Sequence, residues 1–252
     1  MNGVIAKANT LIEALPYIRT FFGRTFVIKY GGNAMVNGEL KKSVILDLIL
    51  LKYVGVNPVL VHGGGPAVSA MMQKLGKEPV FVDGLRVTDE ETMEIAEMVL
   101  SGQINKEIVS LIGKYGGKAV GISGKDGNTI IAKKKIGEVD LGSVGEVDQI
   151  NPELIKILNK EGFIPVISSI GVGFSGESYN INADWVAGEM AIALQAAKLI
   201  ILTDVEGIYE EPGDPSTLIS ALQIERARKL IAQGKIDSGM IPKVHACIKA
   251  VE

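Results

Sequence analysis

Thr25-Phe26-Val27-Ile28-Lys29-Tyr30-Gly31-Gly32-Asn33 decides the fold of this chain. An apolar β-forming run delivers one lysine, then gives way to backbone bare of side chains. Some thirty residues on, Asn57-Pro58-Val59-Leu60-Val61 runs into His62-Gly63-Gly64-Gly65-Pro66 and then into a helical pattern. Pro66 suits the first turn of that helix. Two strand-to-glycine turns, each opening a helix, offer free amide groups and positive dipole ends to anions.

Working outward, apolar residues at spacings of three and four predict a helix over residues 8–22, through Leu11, Ile12, Leu15, Ile18, Phe21 and Phe22. It precedes the first strand, so its apolar face must cover either its own domain or another subunit. A second helix follows Gly32, closed by Gly55, and then come a strand at 57–61, a helix at 66–75 and a short strand at 79–82. A long helix from about Asp89 to Tyr115 is predicted to start after Thr88, with Glu91 completing a capping box. Strands are expected at 119–122, 163–167 and 198–202, and hairpins after Thr129. Helices are expected at 152–160, 185–197, 224–232 and from Pro242. Strands alternating with helices imply an α/β class, a three-layer αβα sandwich with a mainly parallel central sheet, plus the extra N-terminal helix.

The chain has 252 residues, 47% of them hydrophobic and 22% charged, which fits a globular protein rather than a disordered one. A formal net charge of -3 provides no basic field for nucleic acid, so an anion site must come from local placement. Cys247 is the only cysteine, excluding an internal disulfide. His62 and His245 lack ligand-spaced partners, which argues against structural zinc. Glu13, Pro16 and Arg19 interrupt the early apolar stretch, and no apolar run reaches the roughly 20 residues that span a bilayer. A cytoplasmic location is the simplest expectation.

Several residues carry the chemistry. Gly31-Gly32 alone is equally well a tight turn, whereas three glycines between a strand and a helix favour a ligand. Gly63-x-Gly65, with Asp83 following a strand, resembles a dinucleotide fingerprint, but Val68 holds the third position, where close packing wants Gly or Ala. The pattern Gly-x-x-x-x-Gly-Lys-Ser/Thr is absent. Arg86 could take a carboxylate bidentately or be a solvated arginine. Lys243, beside Pro242 at the start of the last helix, sits at a positive dipole end, which is unfavourable unless an anion answers it or the side chain bends into water. Asn180, Asn182 and Asp184 together exceed what one helix cap needs, so Asp184 could orient lysines and Asn180 a polar substrate. Thr203-Asp204-Val205-Glu206-Gly207-Ile208-Tyr209 follows a strand, at the usual ligand edge of an open α/β sheet.

In this order, these segments resemble the N-acetylglutamate kinases of the amino acid kinase family. The match runs through Lys29 to Met35, His62 to Gly65, Gly84-Leu85-Arg86-Val87-Thr88-Asp89, Asn180 to Asp184, Thr203 to Ile208 and Gly239-Met240-Ile241-Pro242-Lys243. The resemblance implies phosphorylation of the γ-carboxylate of N-acetyl-L-glutamate by ATP, with Mg2+ held mainly through the phosphates. It implies that Gly64, Gly65, Arg86 and Asn180 hold the acyl amino acid, and that Lys29 and Lys243 flank the transferred phosphoryl group with Asp184 holding both. Nucleotide binding would fall to Gly31, Gly32, the loop Asp204, Val205, Glu206, Gly207, Ile208 and Tyr209, and the segment Lys235, Ile236 and Asp237. Residues 1–193 would form the acyl-amino-acid lobe and 194–252 the ATP lobe, incomplete because family chains continue beyond Glu252. The first helix resembles the extension of L-arginine-inhibited members, which implies feedback inhibition and a homohexamer built as a trimer of dimers. The other readings are a related carboxylate or carbamate kinase, an NAD-dependent oxidoreductase or a non-catalytic arginine sensor.

Overall fold

The computed structural model describes residues 2–35, 37–211, 213–237 and 239–252, with the side chains of residues 2–4, 6, 7, 33 and 34 outside the description. Asn33 and Ala34 of the first glycine turn are therefore known by backbone only. In chain order the first half comprises α1 (Asn2–Phe21), β1 (Thr25–Tyr30), α2 (Gly38–Tyr53), β2 (Asn57–His62), α3 (Gly65–Lys74), β3 (Phe81–Val82), β4 (Leu85–Arg86), α4 (Glu90–Glu97), α5 (Asn105–Lys114) and β5 (Ala119–Ile122). The second half comprises β6 (Ile130–Lys134), β7 (Gly145–Ile150), α6 (Glu153–Lys160), β8 (Ile164–Ser168), β9 (Ile170–Val172), β10 (Ser178–Asn180), α7 (Ala183–Ala193), β11 (Lys198–Ile201), α8 (Ile224–Ala232) and α9 (Ile241–Val251).

The central sheet has five strands in the order β11-β1-β2-β8-β5, all parallel. Side chains alternate across a strand, and here both faces are buried. Phe26, Ile28 and Tyr30 face a layer built from α2, α3, α4 and α5, where Ile45, Leu48, Met72 and Ile112 pack. Val27, Val59, Val61 and Ile167 face α6 and α7, against Ile155, Val186 and Met190. The three-layer sandwich is thus formed. A second, mixed sheet in the order β10-β9-β6-β7 takes up the region expected as hairpins.

Several local expectations change. The first helix begins at Asn2 rather than near residue 8, and Leu11, Ile12, Leu15 and Tyr17 remain exposed, so this face does not pack on its own domain. The strand expected at 79–82 is only Phe81–Val82, paired antiparallel with Leu85–Arg86 in a hairpin off the main sheet. Asp83 lies in its turn at φ 50°, so the strand-helix-strand unit of the dinucleotide reading does not form. Asp89, not Thr88, caps the long helix, accepting from the Thr92 amide, while the Thr88 hydroxyl donates to the Arg86 carbonyl. The long helix is also interrupted by a π-helical stretch, Met98–Ile104.

Parallel strands place their carboxyl ends on one edge of the sheet. Lys29 is the last residue but one of β1 there and His62 ends β2, while α3, α7 and α9 begin nearby. Among the described residues no helix is long and apolar enough to cross a membrane.

Candidate active site

The sequence builds this site from three helix starts and two strand ends. Gly64 lies at the N-terminal cap of α3, and Pro66 occupies its first turn. Neither the Gly64 nor the Gly65 amide meets a protein acceptor among the described residues. Two donors at a positive dipole end are therefore available to an anion.

Asn182 caps α7 by accepting from the Asp184 amide at 2.7 Å, which turns Asp184 into the first turn, where a carboxylate is favourable. Asp184 is only 4% exposed. Its two oxygens hold two cations: Lys29 Nζ lies 3.0 Å from Oδ1, and Lys243 Nζ donates to Oδ2 at 3.1 Å. The anion that the position of Lys243 requires is thus Asp184, and the lysine does not bend into water. Two ammonium groups on one carboxylate leave the cluster with one net positive charge. In a poorly solvated site that charge acts on a ligand at short range with little screening.

Arg86 is 7% exposed. Its Nη2 donates to the Gly65 carbonyl at 2.9 Å and to Ser69 Oγ at 2.8 Å, and the guanidinium lies 4.6 Å from the centre of the Phe81 ring. No acid pairs with it among the described residues, and burial pushes its pKa down. Asn180 Nδ2 donates to Thr88 Oγ1 at 3.3 Å, tying β10 to the segment that carries Arg86.

A cavity of about 340 Å3 brings together Lys29, Gly31, Gly32, Gly64, Gly65, Arg86, Asn180 and Asp184. A second, of about 950 Å3, is lined by Asp204, Val205, Glu206, Gly207, Ile208 and Lys243. The Lys29–Asp184–Lys243 cluster therefore lies where the two approach each other. Gly32, at φ 66°, is part of that junction: a Cβ there would be strained and would lie 2.5 Å from an Asp204 carboxylate oxygen, which would have to move.

Tyr209, Lys235, Ile236 and Asp237 line neither cavity. Tyr209 pairs with Leu218 across an antiparallel bridge, and Lys235 forms an ion pair with Glu211 at 2.8 Å. Ile236 is buried with Leu230 and Val244, and Asp237 accepts from the Gly239 amide. Sequence reasoning missed Leu100 and Ile104, which reach the first cavity from the π-helical stretch. A Cβ on Gly64 would overlap both side chains. Helical periodicity puts Leu100 on the inward face with Met93 and Ala96 but does not show that it lines a cavity, and beyond it the π turn shifts the phase.

The description "Amino acid kinase family" belongs to the family model that matches residues 24–252. The chain is 57% identical to an acetylglutamate kinase of Moorella thermoacetica, across 98% of this chain and 87% of that one. It is 56% identical to an acetylglutamate kinase of Halothermothrix orenii, across 100% and 88%. Among solved structures, a Streptococcus mutans protein superposes with a TM-score of 0.80 at 28% identity, with 90% of each chain covered.

Proposed function

The chain belongs to the amino acid kinase family, and from that premise we propose that it phosphorylates the γ-carboxylate of N-acetyl-L-glutamate with ATP. The products are N-acetyl-L-glutamyl 5-phosphate and ADP, within arginine biosynthesis. The observation that carries this reading is a buried guanidinium in the first cavity, Arg86, with no acidic partner among the described residues, and a net-positive lysine pair on Asp184 where the two cavities approach each other. A substrate with two carboxylates answers both.

In this reading Arg86 takes the α-carboxylate and Asn180 the acyl amide, while the Gly64 and Gly65 amides hold the reacting carboxylate. That carboxylate is already ionised near neutral pH, so no general base is needed. The barrier comes from bringing two anions together in line. Lys29 and Lys243 neutralise charge on the transferred phosphoryl group, and Asp184 fixes both ammonium groups before the reaction begins. The second cavity, with the Asp204–Ile208 loop, takes the nucleotide, and Gly31 and Gly32 let its phosphates approach the backbone. Ile208 of that loop packs on the cluster that holds Ile236, and in this reading Tyr209, Lys235, Ile236 and Asp237 frame the nucleotide site rather than line it. Mg2+ would enter on the phosphates. Residues 1–193 serve as the acyl-amino-acid lobe and 194–252 as the nucleotide lobe.

Hydroxylamine trapping tests the reaction. ATP with N-acetyl-L-glutamate should yield the acyl hydroxamate, and N-acetyl-L-aspartate, one methylene shorter, should yield far less. Equal trapping with both, or none with either, overturns the reading.

Feedback inhibition by L-arginine and assembly as a trimer of dimers belong to the same proposal, supported by the exposed apolar face of α1. Arginine titration should lower the rate, and light scattering should give a hexamer that Leu11→Glu dissociates. A rate independent of arginine, or a mass unchanged by the substitution, counts against the respective part.

A further inference from the structure

His62 is fully buried at the end of β2 and, among the described residues, makes no hydrogen bond with the lysine cluster. Its ring makes two polar contacts: Nδ1 lies 3.0 Å from the Gly63 carbonyl and Nε2 lies 3.1 Å from Asn105 Nδ2. The proton can be placed from the neighbours. Asn105 Nδ2 also faces the Val166 carbonyl at 3.0 Å and the Ile122 carbonyl at 3.3 Å, and Asn105 Oδ1 accepts from Lys106 Nζ at 3.1 Å. Carbonyl oxygens only accept, so the nitrogen of the amide must face them. His62 Nε2 is then the acceptor, and the neutral ring carries its hydrogen on Nδ1, which donates to the Gly63 oxygen.

That hydrogen bond acts on the site through one rigid unit. The Gly63 carbonyl and the Gly64 N–H belong to the same planar trans peptide, so they point in opposite directions. Holding the oxygen toward His62 aims the Gly64 amide away from the ring. The preceding peptide is fixed as well, because the Gly63 amide donates to the Tyr30 carbonyl at 3.1 Å.

The π-helical stretch explains how Asn105 reaches the ring. Before it, inward positions of the long helix fall at Met93, Ala96 and Val99–Leu100. Continued α-helical phase would turn Gln103 and Glu107 inward. Both are exposed instead, and the buried positions are Ile104, Asn105, Ile108 and Ile112. The wider turn advances the phase by one residue, as a π-bulge does. Ser101 Oγ, within the stretch, also lies 2.9 Å from Ser168 Oγ at the end of β8.

We propose that His62 is a positioning residue for phosphoryl transfer: held by Asn105 from the π-helical turn, it locks the Gly63–Gly64 peptide so that the Gly64 amide faces the acceptor carboxylate. This rests on the reading that the acyl substrate occupies the first cavity.

Two histidines in the chain make the tautomer directly observable. In the wild-type protein, 15N-histidine spectra at pH 7 should give one ring protonated on Nδ1 and not on Nε2. A His62 ring protonated on Nε2, or on both nitrogens, overturns the proposal. Kinetics then separate positioning from bulk stability. His62→Asn keeps a donor near the Nδ1 position, whereas His62→Gln keeps a polar group only near Nε2. His62→Gln should lose about 100-fold in kcat/KM for N-acetyl-L-glutamate, with the KM for ATP unchanged and His62→Asn recovering most of the loss. Equal losses in both variants, or losses that follow melting temperature alone, overturn it. Wild-type hydroxamate formation is measured alongside, so failure of the substrate reading is distinguished from failure of the positioning role.

Discussion

Gly188 packs directly on Ala246: a Cβ added to Gly188 would lie 3.2 Å from the Ala246 Cβ and 3.2 Å from its carbonyl oxygen. This contact sets the distance between α7 and α9. Asp184 lies one turn before Gly188 on α7, and Lys243 lies one turn before Ala246 on α9. The closeness of the helices is therefore what lets a lysine of one reach a carboxylate of the other.

Gly188→Val should push the helices apart and lengthen the Lys243–Asp184 pair. Overpacking of this kind destabilises by about 1–3 kcal/mol. The expected signature is a fall in kcat larger than any change in KM for the acyl substrate, read by steady-state kinetics on protein that still melts cooperatively. A variant with wild-type kcat would separate the helix contact from catalysis.

Removing one lysine should strike turnover harder than folding. Lys29→Met keeps the apolar stem of a residue that is 8% exposed but deletes the charge. By comparison with loss of one oxyanion donor, kcat should fall about 100-fold to 1,000-fold. Lys243→Met should behave alike. Asp184→Asn leaves two ammonium groups without their shared anion, so it should lower both kcat and melting temperature. Unchanged turnover in both lysine variants would remove the clamp from the mechanism.

Arg86→Met tests the acceptor end. It keeps the stem beside Phe81 and deletes a buried cation that has no acidic partner among the described residues. A charge-assisted contact is worth about 1.5–3 kcal/mol, so binding of N-acetyl-L-glutamate should weaken about 10-fold to 100-fold. The KM for ATP should not move. Melting temperature should stay close to wild type, because desolvation already opposes the guanidinium. A large loss of stability with an unchanged substrate KM would make Arg86 structural only.

His62 predicts a pH dependence of stability. Burial, the largest cause, together with the Lys106 charge outweighs the opposing Gly63 contact and brings its pKa from 6.5 down to about 4. Between those values the unfolded chain binds a proton that the folded chain does not. Stability from this group is therefore full above pH 6.5 and lost as pH falls toward 4. At about 1.4 kcal/mol per pKa unit, the loss nears about 3 kcal/mol. Urea unfolding of wild type and His62→Asn across pH 4–7 should converge on the acid side. Parallel curves would mean that His62 is protonated in the folded state.

The order of strands and helices was legible because each apolar run carries its own period. Residues 224–232 were placed correctly as a helix, and the strand read from the apolar run Thr25–Ile28 continues through Lys29 to Tyr30. Legibility failed where neighbours in space decide. Phe81–Val82 has strand-forming residues, but pairing with Leu85–Arg86 takes it off the sheet and removes the dinucleotide unit. Thr88 and Asp89 are both good caps, and Thr88 spends its hydroxyl on Arg86. The loop Asp204–Ile208 reaches a cavity, whereas Lys235 is drawn away by Glu211, a contact that no local pattern reveals.

The sequence by itself determined the alternation of strands and helices, the two glycine turns at strand ends and the identity of every charged group in the cluster. Those are properties of local steric preference and of spacing along the chain. Only the tertiary structure decided that Lys29 and Lys243, more than two hundred positions apart, share the carboxylate of Asp184. It also decided that a π-helical turn rotates Asn105 onto His62. Both depend on how closely packed elements approach and in which helical phase, and approach and phase are set by the whole core at once.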